Sequence, residues 1–133
     1  MIEILRELSE AIGVSGNEDA VRDIIARHIA GHVDEMQIDT MGNLITLKRG
    51  TGSVNLRVMA AAHMDEVGFM ITGFDSDGSI RFTSVGGVDA RILPGLRVRV
   101  GPDHVPGVVM WPPIHLNTSQ DTVAIDRLRI DIG

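Results

Sequence analysis

Apolar residues recur at helical spacing in the first thirty residues of the chain. Ile4, Leu5, Leu8 and Ile12 share one stripe and predict a helix that ends at Gly13. A second helix is predicted by another stripe, which consists of Val21, Ile24, Ile25, His28 and Ile29, with Gly31 closing it.

Between the two stripes, Ser15-Gly16-Asn17-Glu18 has the pattern of a capping box. Ser15 would accept a hydrogen bond from a first-turn amide, while Glu18 reaches back.

After the second helix the period changes to that of strands. Residues 36–39 and 44–48 predict two strands, with a turn over Thr40–Asn43 between them. The segment Leu56–Ala62 is continuously apolar, which is typical of a strand buried on both faces of a sheet between helices. This predicted strand runs directly into His63-Met64-Asp65-Glu66.

From Val67 onward no helical period is found. Residues 67–74 and 80–85 predict a hairpin around Asp75–Gly78, and further strands are predicted at residues 96–100, 108–111 and 128–132. Glycine and proline separate these segments, as in a small barrel or sandwich. The pattern therefore predicts two parts, an α/β part over residues 1–65 and an all-β part over residues 66–133.

Charge and composition exclude several classes of function. The 133 residues carry 12 basic and 18 acidic side chains, a net charge of −6, so neither a nucleic-acid surface nor a polybasic membrane patch is expected. The longest apolar run, residues 58–62, is far shorter than the roughly 18 residues of a membrane span. Acidic residues interrupt the N-terminus, which argues against a signal peptide, and cysteine is absent. We expect a cytoplasmic protein.

The strongest candidate for chemistry is His63-Met64-Asp65 at the end of the predicted buried strand. In open α/β sheets, ligands bind beyond the carboxyl ends of the strands. A neutral imidazole is a common zinc ligand, and a carboxylate two residues away can hold its other ring nitrogen. The pattern is short, however, and a strand-end turn with a local hydrogen bond explains it equally well.

Several stretches fall in the order and spacing of one known family. They are Leu8–Glu18, Asp39–Leu44, Ala61–Met70, Val85–Asp89, Leu93–Gly95 and Pro112–Leu116. In this combination the chain resembles the tetrahedral and glutamyl aminopeptidases, which are dinuclear metallo-aminopeptidases, some of them labelled endoglucanases. The resemblance covers essentially the whole chain. It implies an α/β catalytic domain of the co-catalytic zinc exopeptidase type, interrupted by a small β-barrel dimerisation domain.

The resemblance also implies a domain assignment and an assembly. Residues 1–65 would be the N-terminal part of the catalytic domain, and residues 66–133 most of the inserted β-barrel. The protein would form a homo-oligomer, with dimers made through the β domain, and the sequence leaves open whether those dimers build larger assemblies.

By the same resemblance, His63 is a metal ligand and Asp65 orients its imidazole. The family uses two divalent metal ions, zinc or cobalt, to release N-terminal residues from peptides. Its remaining ligands and its general base, a set of Asp, Glu and His residues, have no counterpart in these 133 residues. We therefore expect the chain to be the N-terminal portion of a longer enzyme and to be inactive alone. A non-catalytic β-barrel interaction module is the main alternative; a glycosidase is a weaker one, because no carboxylate pair stands out.

Other motifs predict less. His28 and His32 have the spacing of a zincin helix, but Ile29 replaces the required glutamate, so a solvated pair at the helix C-terminus is expected. Asp75-Ser76-Asp77-Gly78 opens like a calcium loop but lacks the later ligands, so a hairpin turn is expected. Gly86 and its neighbour are expected to serve backbone geometry. His115 follows two prolines and receives no role beyond loop packing.

Overall fold

The computed structural model describes residues 1–54, 56–111 and 124–133. The chain is of mixed α/β type and divides into two compact units, Met1–Glu66 and Val67–Gly133. Each unit is built around its own sheet, a two-stranded one in the first unit and a five-stranded one in the second.

Both predicted helices are present in the first unit. Helix α1 covers Ile2–Glu10 and helix α2 covers Asp19–Ile29. Helix α1 ends earlier than predicted, because Ala11 already has extended backbone angles (φ −69°, ψ 144°). The Ser15 half of the predicted capping box is wrong, whereas Glu18 does reach back, with its Oε1 accepting from the amide of Gly16 at 2.7 Å. Glu18 is the residue that precedes α2, no side chain caps that helix, and the Ser15 hydroxyl bonds elsewhere.

The predicted hairpin of the first unit is confirmed. Strands β1 (Glu35–Ile38) and β2 (Leu44–Leu47) pair antiparallel, with Ile38 opposite Leu44. Asp39 organises the turn, since its carboxylate accepts from the backbone amides of Met41 and Asn43 and from the Asn43 side chain, each at 2.9 Å. Gly42 supplies the left-handed backbone of this turn, with φ +84°.

The predicted buried strand over Leu56–Ala62 is wrong. None of these residues has strand structure, and the segment is exposed, with Val58 at 83% and Met59 at 89%. A strand buried on both faces needs paired neighbours and covering helices. Within the described part of the first unit, β1 and β2 pair only with each other. The apolar segment therefore lacks the partners that its composition requires.

The second unit is an antiparallel sheet of five strands. They are β3 (Gly68–Phe74), β4 (Ile80–Val85), β5 (Arg97–Val100), β6 (Val105–Met110) and β7 (Arg129–Asp131). Each matches a predicted strand, and the spatial order is β3-β4-β7-β6-β5. Short 3-10 turns at Ala90–Ile92 and Ile125–Arg127 flank β5 and β7. The sheet is open across the described residues, so closure into a barrel stays a prediction.

The core of the molecule lies in the second unit. Its buried apolar side chains are Ile80, Phe82, Leu93, Val109, Leu128 and Ile130. Phe69 packs edge-to-face on Phe82, with ring centroids 4.8 Å apart and planes at 69°. In the described part of the first unit, Val21 is the single buried apolar residue. The two units therefore differ sharply in how much apolar surface they bury.

Across the described ranges, no helix has the length and apolar character needed to cross a membrane.

Candidate functional site

His63 and Asp65 are in direct contact, as the sequence predicts for an oriented imidazole. The Nδ1 atom of His63 lies 2.9 Å from Asp65 Oδ1 and 3.0 Å from the backbone oxygen of Asp65. Both neighbours are acceptors, so the ring proton of the neutral imidazole belongs on Nδ1. The lone pair of the neutral ring is then on Nε2, the atom that a metal ion would use.

His63 is held by hydrogen bonds rather than by packing. Its side chain is 85% exposed, whereas the Asp65 side chain is 40% exposed. An imidazole this open to solvent can meet a ligand without any rearrangement of the protein. Its orientation depends on the carboxylate beneath it.

The second oxygen of Asp65 has a partner that the sequence did not reveal. The hydroxyl of Ser15 donates to Asp65 Oδ2 at 2.5 Å. The hydroxyl of Ser15, and after it the imidazole of His63, hold the pKa of the Asp65 carboxyl below its ordinary value. Asp65 is therefore ionised at neutral pH and accepts on both oxygens.

The backbone around the site is tied down by Gly13 and Glu66. The amide of Glu66 donates to the carbonyl of Gly13 at 2.7 Å, and Glu66 Oε1 accepts from the amide of Gly13 at 3.2 Å. Val14 and Glu66 form an isolated parallel bridge. A Cβ on Gly13 would lie 2.6 Å from Val21 Cγ2, so a larger residue would not fit without a shift of α2. These contacts bring the loop after α1 against the His63 segment.

The site provides one side-chain atom that could bind a metal ion. His63 Nε2 is suitable, and Asp65 is already committed to Ser15 and to the imidazole. Over residues 1–54, 56–111 and 124–133 there is no group of three or more His, Cys, Asp or Glu side chains that could hold a metal ion. A catalytic zinc site ordinarily uses three protein ligands. The described residues therefore supply part of a metal site.

The sequence predicted a solvated pair of His28 and His32 at the end of α2, and the structure differs at His28. His28 Nε2 lies 3.2 Å from Glu7 Oε2 of α1, and Arg27 donates to the same carboxylate at 2.5 Å. His28, and with it Arg27, lowers the pKa of the Glu7 carboxyl. His32 is exposed beyond the end of α2. The contact of His28 is structural and joins the two helices.

The other weak motifs are also structural. Residues 75–78 form the predicted hairpin turn, in which Asp75 pairs with Arg81 at 3.3 Å and with Arg129 at 2.5 Å. Gly86 has φ +85°, and a Cβ there would lie 3.0 Å from Val67 Cγ1, which confirms its role in backbone geometry. His115 and the prolines before it lie outside the described residues.

Ser15, Gly13 and Glu66 are the site residues that sequence reasoning missed. Each of the contacts they make spans about fifty residues of the chain. Ser15 also matched a local capping pattern, which supplied a sufficient but incorrect explanation. No local spacing could have indicated these contacts.

Comparison with known proteins identifies the chain's relatives. Residues 42–133 match the model of the M42 glutamyl aminopeptidase family. The chain is 32% identical over 138 aligned positions to a lysyl aminopeptidase of Pyrococcus furiosus, and the alignment covers 98% of this chain and 39% of that protein.

Solved structures agree with this result. A Thermotoga maritima protein described as an endoglucanase is 45% identical, with a TM-score of 0.82 over 97% of this chain and 38% of that one. The TET1 peptidase of Pyrococcus horikoshii, described as assembling into a tetrahedron or a large octahedral shell, is 37% identical, with a TM-score of 0.83 over 99% of this chain and 40% of that one. The chain thus spans about two fifths of the length of these relatives.

Proposed function

Because this chain belongs to the M42 glutamyl aminopeptidase family, we propose that it is part of a metal-dependent aminopeptidase that releases N-terminal residues from peptides. One observation carries the proposal. His63, at the place where the family resemblance puts a metal ligand, has its Nδ1 bonded to Asp65 and its Nε2 available on an exposed ring.

The residues of this chain have distinct tasks in that enzyme. His63 offers Nε2 to a metal ion, and Asp65 keeps the proton on Nδ1 and fixes the plane of the ring. Gly13 and Glu66 fix the backbone that carries both. The negative charge of Asp65 also makes the imidazole a better electron donor.

The cofactor would be two divalent ions, zinc or cobalt, held together with further ligands in the rest of the enzyme. Bound metal supplies Lewis acidity and lowers the pKa of bound water. Asp65 is a positioning residue in this scheme, since it acts through His63. The general base is expected elsewhere in the longer enzyme.

The two units would have separate roles. We assign residues 1–65 to the N-terminal part of the α/β catalytic domain and residues 66–133 to most of an inserted β-barrel that mediates dimerisation. The division of the chain after Glu66 and the all-antiparallel five-stranded sheet of the second unit support this assignment, and closure of that sheet into a barrel is part of the proposal. The homo-oligomer is expected to be cytoplasmic, and the shell described for the Pyrococcus horikoshii relative supports an assembly larger than a dimer.

The alternative is a non-catalytic interaction module. It is favoured by one observation, namely that the described core lies almost entirely in the second unit. In that case His63 would make a local hydrogen bond and have no role in metal binding.

The test compares His63→Ala, Asp65→Asn and the control His32→Ala in the full-length enzyme. His63→Ala should abolish release of N-terminal residues and lose one equivalent of metal. Asp65→Asn should retain more metal but lower the rate about 10–100-fold. His32→Ala, which changes an exposed histidine at the end of α2, should behave like the wild type. If His63→Ala keeps two metals and normal turnover while its thermal midpoint falls, the proposed role of His63 is wrong.

A further inference from the structure

Ser15, Asp65 and His63 form one continuous chain of side-chain hydrogen bonds. Ser15 Oγ donates to Asp65 Oδ2 at 2.5 Å, and His63 Nδ1 donates to Asp65 Oδ1 at 2.9 Å. The two bonds use different oxygens of one carboxylate. Both oxygens of the carboxylate are therefore held, and its orientation is fixed.

The backbone brings Ser15 to this position independently of its side chain. Val14 bridges Glu66, and the amide of Glu66 donates to the carbonyl of Gly13. On the other side of Ser15, the amide of Asn17 donates to the carbonyl of Val14 at 2.7 Å and closes a turn. Ser15 is thus held at the tip of a turn that is fixed against the His63 segment.

The hydroxyl of Ser15 does not make the helix-capping hydrogen bond that its sequence pattern predicts. Helix α2 begins four residues later, and no side chain caps it. Serine is a favoured capping residue because its oxygen satisfies a free amide of the first turn. Here the same hydroxyl donates a hydrogen bond to Asp65 instead.

Asp65 needs such a partner because its surroundings leave it free to rotate. Its side chain is 40% exposed and that of His63 is 85% exposed, so close packing fixes neither of them. Without Ser15, water would replace the hydroxyl, and the carboxylate could turn about its terminal bond. The carboxylate, one of the two acceptors of the His63 Nδ1 proton, would then no longer be held in place, and the backbone oxygen of Asp65 would be left as the fixed acceptor.

We propose that Ser15 is a positioning residue that locks the Asp65 carboxylate and, through it, the Nδ1–H tautomer of His63. The proposal rests on the proposed function, in which His63 Nε2 receives a metal ion. It adds a third residue to the pair that the sequence predicts. Its effect is on the orientation and tautomer of the imidazole, which can be measured without metal and without turnover.

The experiment uses this chain with 15N-labelled histidine at about pH 8.5, where an ordinary imidazole is neutral. Ser15→Thr and Ser15→Val form the decisive pair, because their side chains have the same shape and differ in the hydroxyl. His63→Ala assigns the signals, and exposed His32 serves as the internal reference. Ser15→Thr should keep the Nδ1–H form of His63, whereas Ser15→Val should shift the tautomer ratio of His63 toward that of His32, with the backbone oxygen of Asp65 retaining part of the preference.

A matched control is available in the second unit. Ser79 Oγ donates to Asp77 Oδ1 at 2.8 Å, which is the same type of contact within the other unit. Ser79→Ala should leave the His63 signals unchanged, and backbone amide spectra of every variant verify folding. If folded Ser15→Val keeps the wild-type tautomer ratio of His63, the inference is overturned. If Ser15→Val does not fold, the folded Ser15→Thr variant decides. Loss of the Nδ1–H form of His63 in Ser15→Thr overturns the inference, and retention of that form supports it.

Activity gives a second, separate measurement in the full-length enzyme. Ser15→Val should lower kcat about tenfold with KM and metal content unchanged, and Ser15→Thr should restore it. The tautomer experiment tests the role of Ser15, and the metal analysis of His63→Ala tests the proposed function, so either claim can be refuted without the other. A shifted tautomer in Ser15→Val supports the role of Ser15 even if His63→Ala retains its metal, which would refute only the proposed function.

Discussion

Gly13 and Glu66 lie fifty-three residues apart in the sequence and are bonded to each other twice. The Glu66 amide donates to the Gly13 carbonyl at 2.7 Å, and the Gly13 amide donates to Glu66 Oε1 at 3.2 Å. This pair joins the loop after α1 to the segment that carries His63. The geometry of the candidate site therefore depends on a residue without a side chain.

Gly13→Ala should destabilise the first unit. An added Cβ would lie 2.6 Å from Val21 Cγ2, and overpacking of this kind typically costs about 1–3 kcal/mol. Denaturant unfolding measures the loss, and Gly31→Ala is the control, because nothing lies within 4 Å of a Cβ there. Val21→Ala in the same chain should restore part of the loss, and a strictly additive double variant would contradict the steric explanation.

The β1–β2 hairpin should weaken in acid. Hydrogen bonds from Asn43, its side chain first and then its backbone, lower the pKa of the Asp39 carboxyl below its ordinary value of 3.8. A folded-state pKa below the unfolded one means that this stabilisation is full above about pH 4 and is lost as the pH falls through the folded-state pKa. Hydrogen exchange of the Met41 and Asn43 amides should accelerate there beyond its intrinsic pH dependence.

Asp39→Asn is the variant that tests this prediction. It should remove the extra acid sensitivity of the two amides, since the amide group does not titrate in this range. Asp23→Asn, on the exposed face of α2, should leave the sensitivity unchanged. Equal acid sensitivity in Asp39→Asn and the wild type would show that another group is responsible.

The 133-residue chain alone should not cleave aminoacyl-nitroanilides, even with zinc or cobalt added. The candidate site offers one imidazole to a metal, and no group of three ligands is found among the described residues. One ligand cannot hold the ion and its water in a fixed arrangement. Absorbance of released nitroaniline is the measurement, with the full-length enzyme as the positive control. Turnover by rigorously purified chain that chelators abolish would refute the expectation.

The segment of residues 67–133 should self-associate more readily than residues 1–65. Strands β3 and β5 are edges of the open sheet among the described strands, and unpaired edges recruit partners. Sedimentation of the two segments, expressed separately and compared at equal concentration, measures the difference. A β segment that stays monomeric at high concentration would contradict the prediction.

The sequence predicted those elements that a local pattern of apolar and turn residues specifies. Both helices, the hairpin at Asp39 and all five strands of the second unit follow from periodicity and turn residues. The contact of His63 with Asp65 spans two residues and was equally accessible. The closing of the second sheet and the metal role of His63 stay predictions.

The failures concern partners that are distant in the chain or that are not found among the described residues. Ser15 matched a capping pattern, but the Val14–Glu66 bridge brings its hydroxyl to Asp65. The segment Leu56–Ala62 has the composition of a central strand, yet composition does not supply the neighbours with which such a strand pairs. Local patterns indicate what a segment requires, and the rest of the fold decides whether that requirement is met.

The position of β7 in the five-stranded sheet has a consequence for synthesis on the ribosome. Ile130 pairs with Ile80 on one side and with Val109 on the other, so the last of the described strands lies in the middle of the sheet. Until residues 129–131 have left the exit tunnel, the β3–β4 hairpin and the β5–β6 pair lack the strand that joins them. The second unit should therefore fold late and in one cooperative step, at the slow rate typical of topologies with high contact order.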